Sequence, residues 1–302
     1  MRIVRSSEPQ WRSGEAWSVV AEPCVTIGVL DGRDEYQLFE VADAARQSDG
    51  SFVVVDGGSR TVRRYDASGS FIAAAGGHGS GPGEYQDPDQ VVVTAGDSIV
   101  IWDNAHYRLT RLAPTGALVE VHSVDLGTIA AATEPPLYPG SASLAPDGSL
   151  VVRLVEKTKG PRSGLFRPRS GALRVSADLS VIDTLMLFGG VEQVTVTSPA
   201  WGPMPFEPAF AKRTAMAIHP GTPRICIGEQ ERAEVVCLGP EPGSRTLVRW
   251  TADPIAVTES DLLRWRAAAV DALGRKLSRH DAALVVDQIA RPAVHPLYGQ
   301  LV

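Results

Sequence analysis

Short apolar runs alternate with turn residues through most of the chain. From residue 38 onward these runs are bounded by Asp-Gly, Gly-Asp or Ser-Gly pairs. The pattern predicts short antiparallel strands joined by tight turns, because the runs are too short for most helices. Six of the predicted strands are 52–55, 61–65, 71–75, 99–102, 108–112 and 118–121.

The strand pattern repeats along the chain. Asp56 and Asp103 each end an apolar strand and lie 47 residues apart. The other pairs that match at this spacing are Val62 and Leu109, Arg64 and Arg111, Gly69 and Gly116, and Phe71 and Leu118. Each unit is therefore predicted to hold three or four strands, with Gly69 or Gly116 at the positive-φ position of a hairpin turn. The repeated Asp is expected to cap a turn by accepting hydrogen bonds from backbone N–H groups.

Repeats of 40 to 50 residues, each a small antiparallel sheet, predict an all-β protein with a β-propeller fold. The expected units are 36–82, 83–127, 138–190 and 205–257, with the start of a further blade at 293–302. Residues 1–24 are predicted to form an N-terminal extension or closing strand, and residues 25–302 a single propeller domain.

One segment has the pattern of helices. Thr258 and Asp261 are spaced as a capping pair, Ser278 is a second candidate N-cap, and Pro292 follows the last helical residue. These signals predict a helical insertion near 258–290 that packs on the rim of the propeller. A helix that binds a partner is the alternative interpretation.

The Gly-rich segment between the first two units carries a family resemblance. It reads Gly77-His-Gly-Ser-Gly-Pro-Gly-Glu-Tyr-Gln-Asp-Pro88, and a strand and the sequence Asn104-Ala-His-Tyr-Arg-Leu109 follow it. This order resembles the NHL-repeat family of six-bladed propellers. With the aromatic residues Trp11 and Trp17, the whole chain resembles uncharacterised bacterial six-bladed propeller proteins. The resemblance implies six blades, a periplasmic or secreted location, and a chain that lacks its signal peptide and last blade or blades here.

Composition narrows the functional classes. The 302 residues carry a formal net charge of −6, which argues against a nucleic-acid-binding groove. No apolar stretch reaches the roughly 18 residues of a membrane span, and the N-terminus as given has no signal-peptide core. We expect a monomer. The densest basic stretch, 153–174, is predicted to be a solvated loop, with an anion site as the alternative.

Crossing segments of a propeller often face its central opening, so their polar residues are candidates for ligand binding. The predicted ligand-binding residues are His78, Glu84, Asp87, Asp89 and His106. Ser80 lies in a Gly-His-Gly-Ser-Gly string, but the strand-to-helix context of a nucleophile elbow is missing there. We therefore interpret this string as a turn.

Two functions from different classes fit the sequence. The first is a non-catalytic binding or scaffold propeller without a cofactor, which presents loops to a protein, peptide or glycan partner. The second is a calcium-dependent hydrolase or lyase that acts in the central channel, as in the gluconolactonase-like and streptogramin lyase propellers. Its candidate ligands are Glu40, Asp43, Asp87, Asp89 and Glu207. The second function requires three or more such groups to converge on the axis.

The three cysteines give information about the cellular location of the protein. Cys226 and Cys237 lie on the two arms of a predicted hairpin, whereas Cys24 has no evident partner. A cross-strand disulfide would favour an extracytoplasmic location. The alternative is that both residues are small buried hydrophobic side chains.

Overall fold

The computed structural model describes residues 1–6, 20–131, 137–157, 160, 162–179, 182–198, 200–241, 243–289 and 291–297. Most of its elements are short strands, and it confirms the prediction of an all-β propeller with a helical insertion. Trp11, Trp17 and residues 298–302 lie outside the described residues. None of the described helices has the length and hydropathy of a membrane span.

The strands are β1 (Arg2–Ser6), β2 (Val41–Arg46), β3 (Phe52–Asp56), β4 (Thr61–Tyr65), β5 (Phe71–Gly76), β6 (Pro88–Val93), β7 (Ile99–Asp103), β8 (Arg108–Leu112), β9 (Leu118–Ser123), β10 (Tyr138–Leu144), β11 (Leu150–Val155), β12 (Leu165–Phe166), β13 (Arg169–Val175), β14 (Ile182–Gly189), β15 (Gln193–Ser198), β16 (Gly202–Phe206), β17 (Thr214–Ile218), β18 (Ile225–Glu229), β19 (Glu234–Leu238) and β20 (Arg245–Trp250). The α-helices are α1 (Leu126–Ala131), α2 (Glu259–Gly274) and α3 (Arg279–Asp287).

Four antiparallel sheets of four strands form the propeller blades within the described residues. Blade 1 is β2–β3–β4–β5, blade 2 is β6–β7–β8–β9, blade 3 is β10–β11–β13–β14, and blade 4 is β17–β18–β19–β20. The N-terminal strand β1 adds to blade 4 in parallel with β20. Gly69 and Gly116 have φ angles of 87° and 90°, so they occupy the positive-φ turn positions that the repeat predicted.

The blades pack face to face through apolar side chains of their middle strands. Val53 and Val55 of blade 1 share one cluster with Ile99 and Ile101 of blade 2. Because side chains of a strand alternate between two faces, the intervening residue Val100 and the following residue Trp102 pack on the other side, against blade 3. Stacking of this kind buries both faces of each sheet, which a single blade cannot do alone.

A small sheet outside the blades was not predicted. It contains β12, β15 and β16, and the helical insertion packs on it. Thr258 and Ser278 begin α2 and α3 as predicted, since each hydroxyl accepts a hydrogen bond from the N–H group three residues later. Val196 of the sheet and Val285 of α3 are buried together at this contact. The helices therefore pack through apolar side chains on the small sheet, which lies outside the four blades.

Candidate functional site

The inner strands of all four blades meet around one cavity, which we call the axial cavity. Its volume is about 310 Å³, within the usual range of ligand sites. The last residues of β2, β6, β10 and β17, and the turns that follow, line it. The lining residues are Ala44, Ala45, Arg46, Val91, Val92, Val93, Leu144, Pro146, Ile218, His219 and Pro220.

The lining of the axial cavity is mainly aliphatic, with two nitrogen-bearing side chains. The Arg46 guanidinium carbon lies 5.4 Å from the ring centroid of Phe52, and its Nε donates to the carbonyl of Gly50 over 3.3 Å. His219 Nδ1 accepts a hydrogen bond of 3.0 Å from the N–H of Gly221. The cavity therefore offers an apolar surface with a cationic group.

Two polar side chains fix neighbouring inner strands to each other. Asp43 Oδ2 accepts a hydrogen bond of 2.9 Å from the N–H of Val91. Gln90, 47 residues later, donates to the carbonyl of Ala142 over 2.9 Å and accepts from the N–H of Leu144 over 2.8 Å. Sequence inspection proposed Asp43 as a calcium ligand, but the structure uses one of its oxygens to join blades 1 and 2.

The five predicted ligand-binding residues lie along the crossing segment and its turn, away from the axial cavity. Glu84 Oε2 accepts from the N–H of Gly81 over 2.8 Å, which closes the Gly-rich loop on itself. Asp89 Oδ2 accepts from the side chain of Gln90 over 3.0 Å. Asp87 is exposed and lies immediately before β6, and His78 forms a backbone bridge to Tyr85. The ligand-binding role of these residues stays a prediction.

His106 takes part in a Ser–His–Asp relay. Its Nδ1 lies 3.2 Å from Asp103 Oδ2, and its Nε2 lies 3.3 Å from Ser80 Oγ. Ser80 is exposed, His106 is partly buried, and Asp103 is fully buried. Sequence inspection interpreted Ser80 as a turn residue because no elbow motif surrounds it. Ser80 does lie in a bend in the structure, and its hydroxyl also contacts His106.

Asp103 is held by backbone N–H groups from two segments. It accepts from Gln86 over 2.8 Å in the crossing segment and from Ala105 and His106 over 3.1 Å in its own turn. Burial acts to raise the pKa of Asp103, but the N–H groups of Gln86, His106 and Asp87 outweigh it, so the pKa lies below its ordinary value. The carboxylate therefore stays ionised and caps the turn as the repeat predicted.

The carboxylates proposed as calcium ligands do not converge. Glu207 pairs with Arg213, Asp43 joins two strands, and Asp89 bonds its neighbour. In the described part of the chain, no group of three or more His, Cys, Asp or Glu side chains is placed to hold a metal ion. The residues present do not fit a calcium centre on the axis, since calcium needs six to eight oxygen ligands.

The basic stretch 153–174 is not the solvated loop that the sequence predicted. Arg153 lies within β11, and Arg174 lies within β13, where it pairs with Asp147 over 2.6 Å. Arg167 contacts Glu231 over 3.1 Å and donates to the carbonyls of Gly189 and Gly190. The exposed residues among those described in this stretch are Val155, Lys157, Gly160, Ser163, Gly164, Leu165 and Arg169. A high arginine content does not by itself indicate an exposed loop, because arginine side chains also form ion pairs between strands.

The hairpin of β18 and β19 carries a disulfide. Cys226 and Cys237 are directly opposite in register, with 4.0 Å between their Cα atoms, and their sulfurs are bonded. Cys24 is a free and exposed cysteine.

No family model matches the sequence, and no curated protein matches it. Solved structures are similar in fold. A protein of Bacteroides fragilis is 13% identical with a TM-score of 0.47, covering 88% of this chain and 64% of its own length. Virginiamycin B lyase from Staphylococcus aureus is 9% identical with a TM-score of 0.29, over 73% of this chain and 86% of the lyase. The nidogen/laminin complex is 14% identical with a TM-score of 0.37, over 72% of this chain and 68% of the other. Identities of this size transfer no activity.

Sequence inspection missed the residues that line the axial cavity. Ala44, Val92 and Ile218 lie within repeat units that were predicted, but nothing in their local pattern marks them as cavity residues. The available signal was their place in the repeat, because each lies near the end of the innermost strand of a unit. Listing that position in every unit would have found the cavity.

Proposed function

We propose that this chain is a non-catalytic binding propeller whose axial cavity receives an apolar side chain of a protein or peptide partner. The observation that carries this proposal is the cavity lining, in which aliphatic side chains from four blades surround about 310 Å³. Pockets that are mostly apolar, with a few placed polar groups, are the usual ligand sites of proteins. Arg46 at the cavity supplies a cation for an acidic group of the partner.

A peptide fits this lining better than a glycan. A sugar ring brings several hydroxyl groups, and each needs a hydrogen-bonding partner once it leaves water. The lining offers the side chains of Arg46 and His219 for that purpose, and its other members are Ala, Val, Leu, Ile and Pro. An apolar side chain loses little on entering such a cavity and gains about 25 cal/mol per Å² of buried apolar surface.

The test is a peptide-display selection against the folded chain, followed by measurement of Kd for the enriched peptides. We expect enriched peptides to share an apolar anchor with an acidic residue nearby. Substitution Ala44→Phe fills part of the cavity from an exposed backbone position, so it is expected to weaken binding at least tenfold, which is about 1.4 kcal/mol.

The matched control is Ala117→Phe, which adds the same ring at an exposed position before β9. The control variant is expected to bind like the parent chain. If both variants lose the same affinity for the enriched peptides, or if Ala44→Phe binds them as tightly as the parent chain, binding lies outside the cavity. Either result would overturn the proposal.

A second candidate function is ester hydrolysis at the Ser80–His106–Asp103 relay. In this step Ser80 Oγ bonds to the ester carbonyl carbon while His106 Nε2 takes its proton and then passes it to the leaving alkoxide. Water then attacks the acyl group by the same route and frees the acid and Ser80. We place this function second because the N–H of Gly81 already bonds Glu84 and is not free to stabilise an oxyanion.

A fluorophosphonate probe tests the second candidate. If Ser80 is a nucleophile, peptide mapping will find the probe on Ser80, and Ser80→Ala and His106→Gln will abolish the labelling. Ser68→Ala, at an exposed turn serine bonded to Asp66, is the matched control. Absence of labelling at Ser80 in the folded parent chain would eliminate hydrolysis by this relay.

We also propose that the chain functions outside the cytosol as part of a six-bladed propeller of NHL type. The Cys226–Cys237 bond supports the location, because structural disulfides persist in oxidising compartments. The blade number rests on the resemblance of the Gly77–Pro88 crossing to that family. An experimental structure of the natural gene product would test the blade number by direct count.

A further inference from the structure

The outer strand of blade 1 leaves one of its edges unpaired. β5 forms its hydrogen-bonded ladder with β4, and no other described strand pairs with it. At the start of β5, the N–H of Phe71 donates to the Tyr36 hydroxyl over 2.8 Å. Along the rest of the strand, exposed residues alternate with half-buried ones, and Ile72 is 46% exposed. The edge of residues 72–76 therefore presents backbone N–H and C=O groups at the surface.

The other outer strands of the described blades are occupied or charged. β20 of blade 4 already pairs with the five residues of β1. β9 of blade 2 carries Glu120 and His122, which pair with each other, and β14 of blade 3 carries Asp183. The sequence of β5 is Phe-Ile-Ala-Ala-Ala-Gly, without a charge or a proline to protect its edge. The pairing of β1 with β20 also shows that a blade of this chain accepts a fifth strand.

A small apolar notch, which we call the edge notch, lies beside β5 between blades 1 and 2. Its volume is about 30 Å³, and it is lined by Val62, Arg64, Ala73, Ala74, Ala75, Leu112, Thr115 and Gly116. The Arg64 guanidinium already donates to the carbonyl of Thr115 over 2.9 Å, so the arginine offers its aliphatic stem. An apolar cavity that binds benzene has a volume of about 150 Å³. The edge notch therefore suits a small aliphatic group and excludes an aromatic ring.

We propose that the free edge of β5 binds an extended peptide of a partner protein by strand addition. The added strand pairs with the backbone of residues 72–76 and places one small aliphatic side chain, such as valine, in the edge notch. In this binding mode the main-chain hydrogen bonds supply affinity, and a pocket for one of the alternate side chains supplies specificity. The central residues of the peptide are uncharged, because β5 has no charge to pair with them.

A second copy of the chain fits the edge notch less well than a peptide does. Ala73 and Ala75 pair with Arg64 and Val62, so their methyl groups share the face of blade 1 that packs on blade 2. Two copies of β5 paired edge to edge would offer each notch only these methyl groups, whereas a peptide can carry a branched side chain. The site is also separate from the axial cavity, because β2 lines that cavity and β5 lies at the opposite edge of the same sheet.

The test uses a soluble, dye-labelled peptide in which valine alternates with threonine between terminal lysines. Fluorescence anisotropy measures its Kd for the folded chain, and we expect saturable binding. Methylation of alternate backbone nitrogens of the peptide removes donors but keeps the side chains, so it is expected to raise Kd about tenfold or more. Equal binding of the methylated peptide, or no binding of the parent peptide, would overturn the proposal.

A substitution in β5 tests the edge notch. Ala75→Leu fills it and is expected to raise Kd about fourfold or more, which is the effect of one buried CH₂ group. The matched control Ala267→Leu adds the same side chain at an exposed position of α2 and is expected to bind like the parent chain. The melting temperature confirms that both variants are folded. Unchanged binding by folded Ala75→Leu would contradict the proposal.

Hydrogen exchange locates the bound peptide without any substitution. The peptide is expected to slow amide exchange in residues 72–76 and to leave residues 91–93 of the axial cavity unchanged. Protection confined to residues 91–93 would place the peptide in the axial cavity and overturn the proposal. Sedimentation of the free chain provides the last test, because a dimer with protected β5 amides would assign this edge to a second copy instead of a peptide.

Discussion

At the scale of single residues, a carboxylate at the end of the second strand recurs in three blades, and it is fully buried in blades 1 and 2. Asp56 and Asp103 each accept a hydrogen bond from a backbone N–H of the segment that enters their blade, whereas Glu229 of blade 4 accepts one from Gly189 at the end of β14. The turn cap of Asp103 could be predicted because its partners follow within three residues. The bond to Gln86 could not, because it joins residues 17 apart whose approach depends on the folded blade.

Asp103→Asn tests the energetic role of this carboxylate. Because the pKa of folded Asp103 is depressed, its contribution to stability is present above the unfolded value of about 3.9 and is lost as the pH falls through the folded pKa. We expect the substitution to lower the free energy of unfolding by about 1–3 kcal/mol at pH 7. The difference from the parent chain should shrink below the folded pKa.

Urea unfolding at several pH values measures this effect. Asp89→Asn is the control, because that carboxylate is exposed and accepts from the neighbouring side chain of Gln90. A loss of stability in Asp89→Asn as large as that in Asp103→Asn would contradict the role assigned to the buried carboxylate.

At the scale of elements, the strands and helices follow from local pattern, whereas the small sheet does not. Turn residues mark the ends of β3 and β7, and the capping hydroxyls mark the starts of α2 and α3. The strand β12 has two residues and pairs with β15 nearly thirty residues later, so no periodicity within it could indicate a strand. The strand β12 therefore forms only because it pairs with β15 in the folded chain.

The disulfide of the β18–β19 hairpin gives a prediction at this scale. The double substitution Cys226→Ser and Cys237→Ser opens a loop with a sequence separation of 11 residues. Loss of this constraint on the unfolded chain is expected to reduce stability by about 3 kcal/mol. Urea unfolding of the oxidised protein measures the difference.

Cys24→Ser serves as the matched control, because Cys24 is exposed and unbonded. Its unfolding midpoint should equal that of the parent chain. If the double variant also unfolds at the parent midpoint, the disulfide contributes nothing to the blade.

At the scale of the whole molecule, the repeat predicted the propeller but could not predict what occupies its axis. The tight turns and the 47-residue period are local properties of the sequence. The axial lining depends on how closely the four inner strands approach, which is set by packing between blades. Asp43 is an example. From the sequence alone its carboxylate could bind a metal ion or join two strands, and only the folded structure shows that it accepts a hydrogen bond from Val91.

Metal removal gives a further prediction for the whole molecule. Asp43, Asp89 and Glu207 already bond other groups, and no described group of three or more His, Cys, Asp or Glu side chains is placed to hold a metal ion, so we expect EDTA to leave the melting temperature unchanged. The control is the same melt with added calcium chloride. A fall in melting temperature with EDTA that calcium restores would contradict this expectation and favour the channel hydrolase or lyase.

The most direct test of binding at the axial cavity is a methyl NMR titration with a peptide from the selection. We expect the methyl signals of Val91, Val92, Val93 and Ile218 to shift as the peptide saturates the chain. The signals of Ile72 and Val119, which are exposed on outer strands, should stay in place. Shifts confined to Ile72 or Val119, with the cavity methyl groups unchanged, would contradict the central claim.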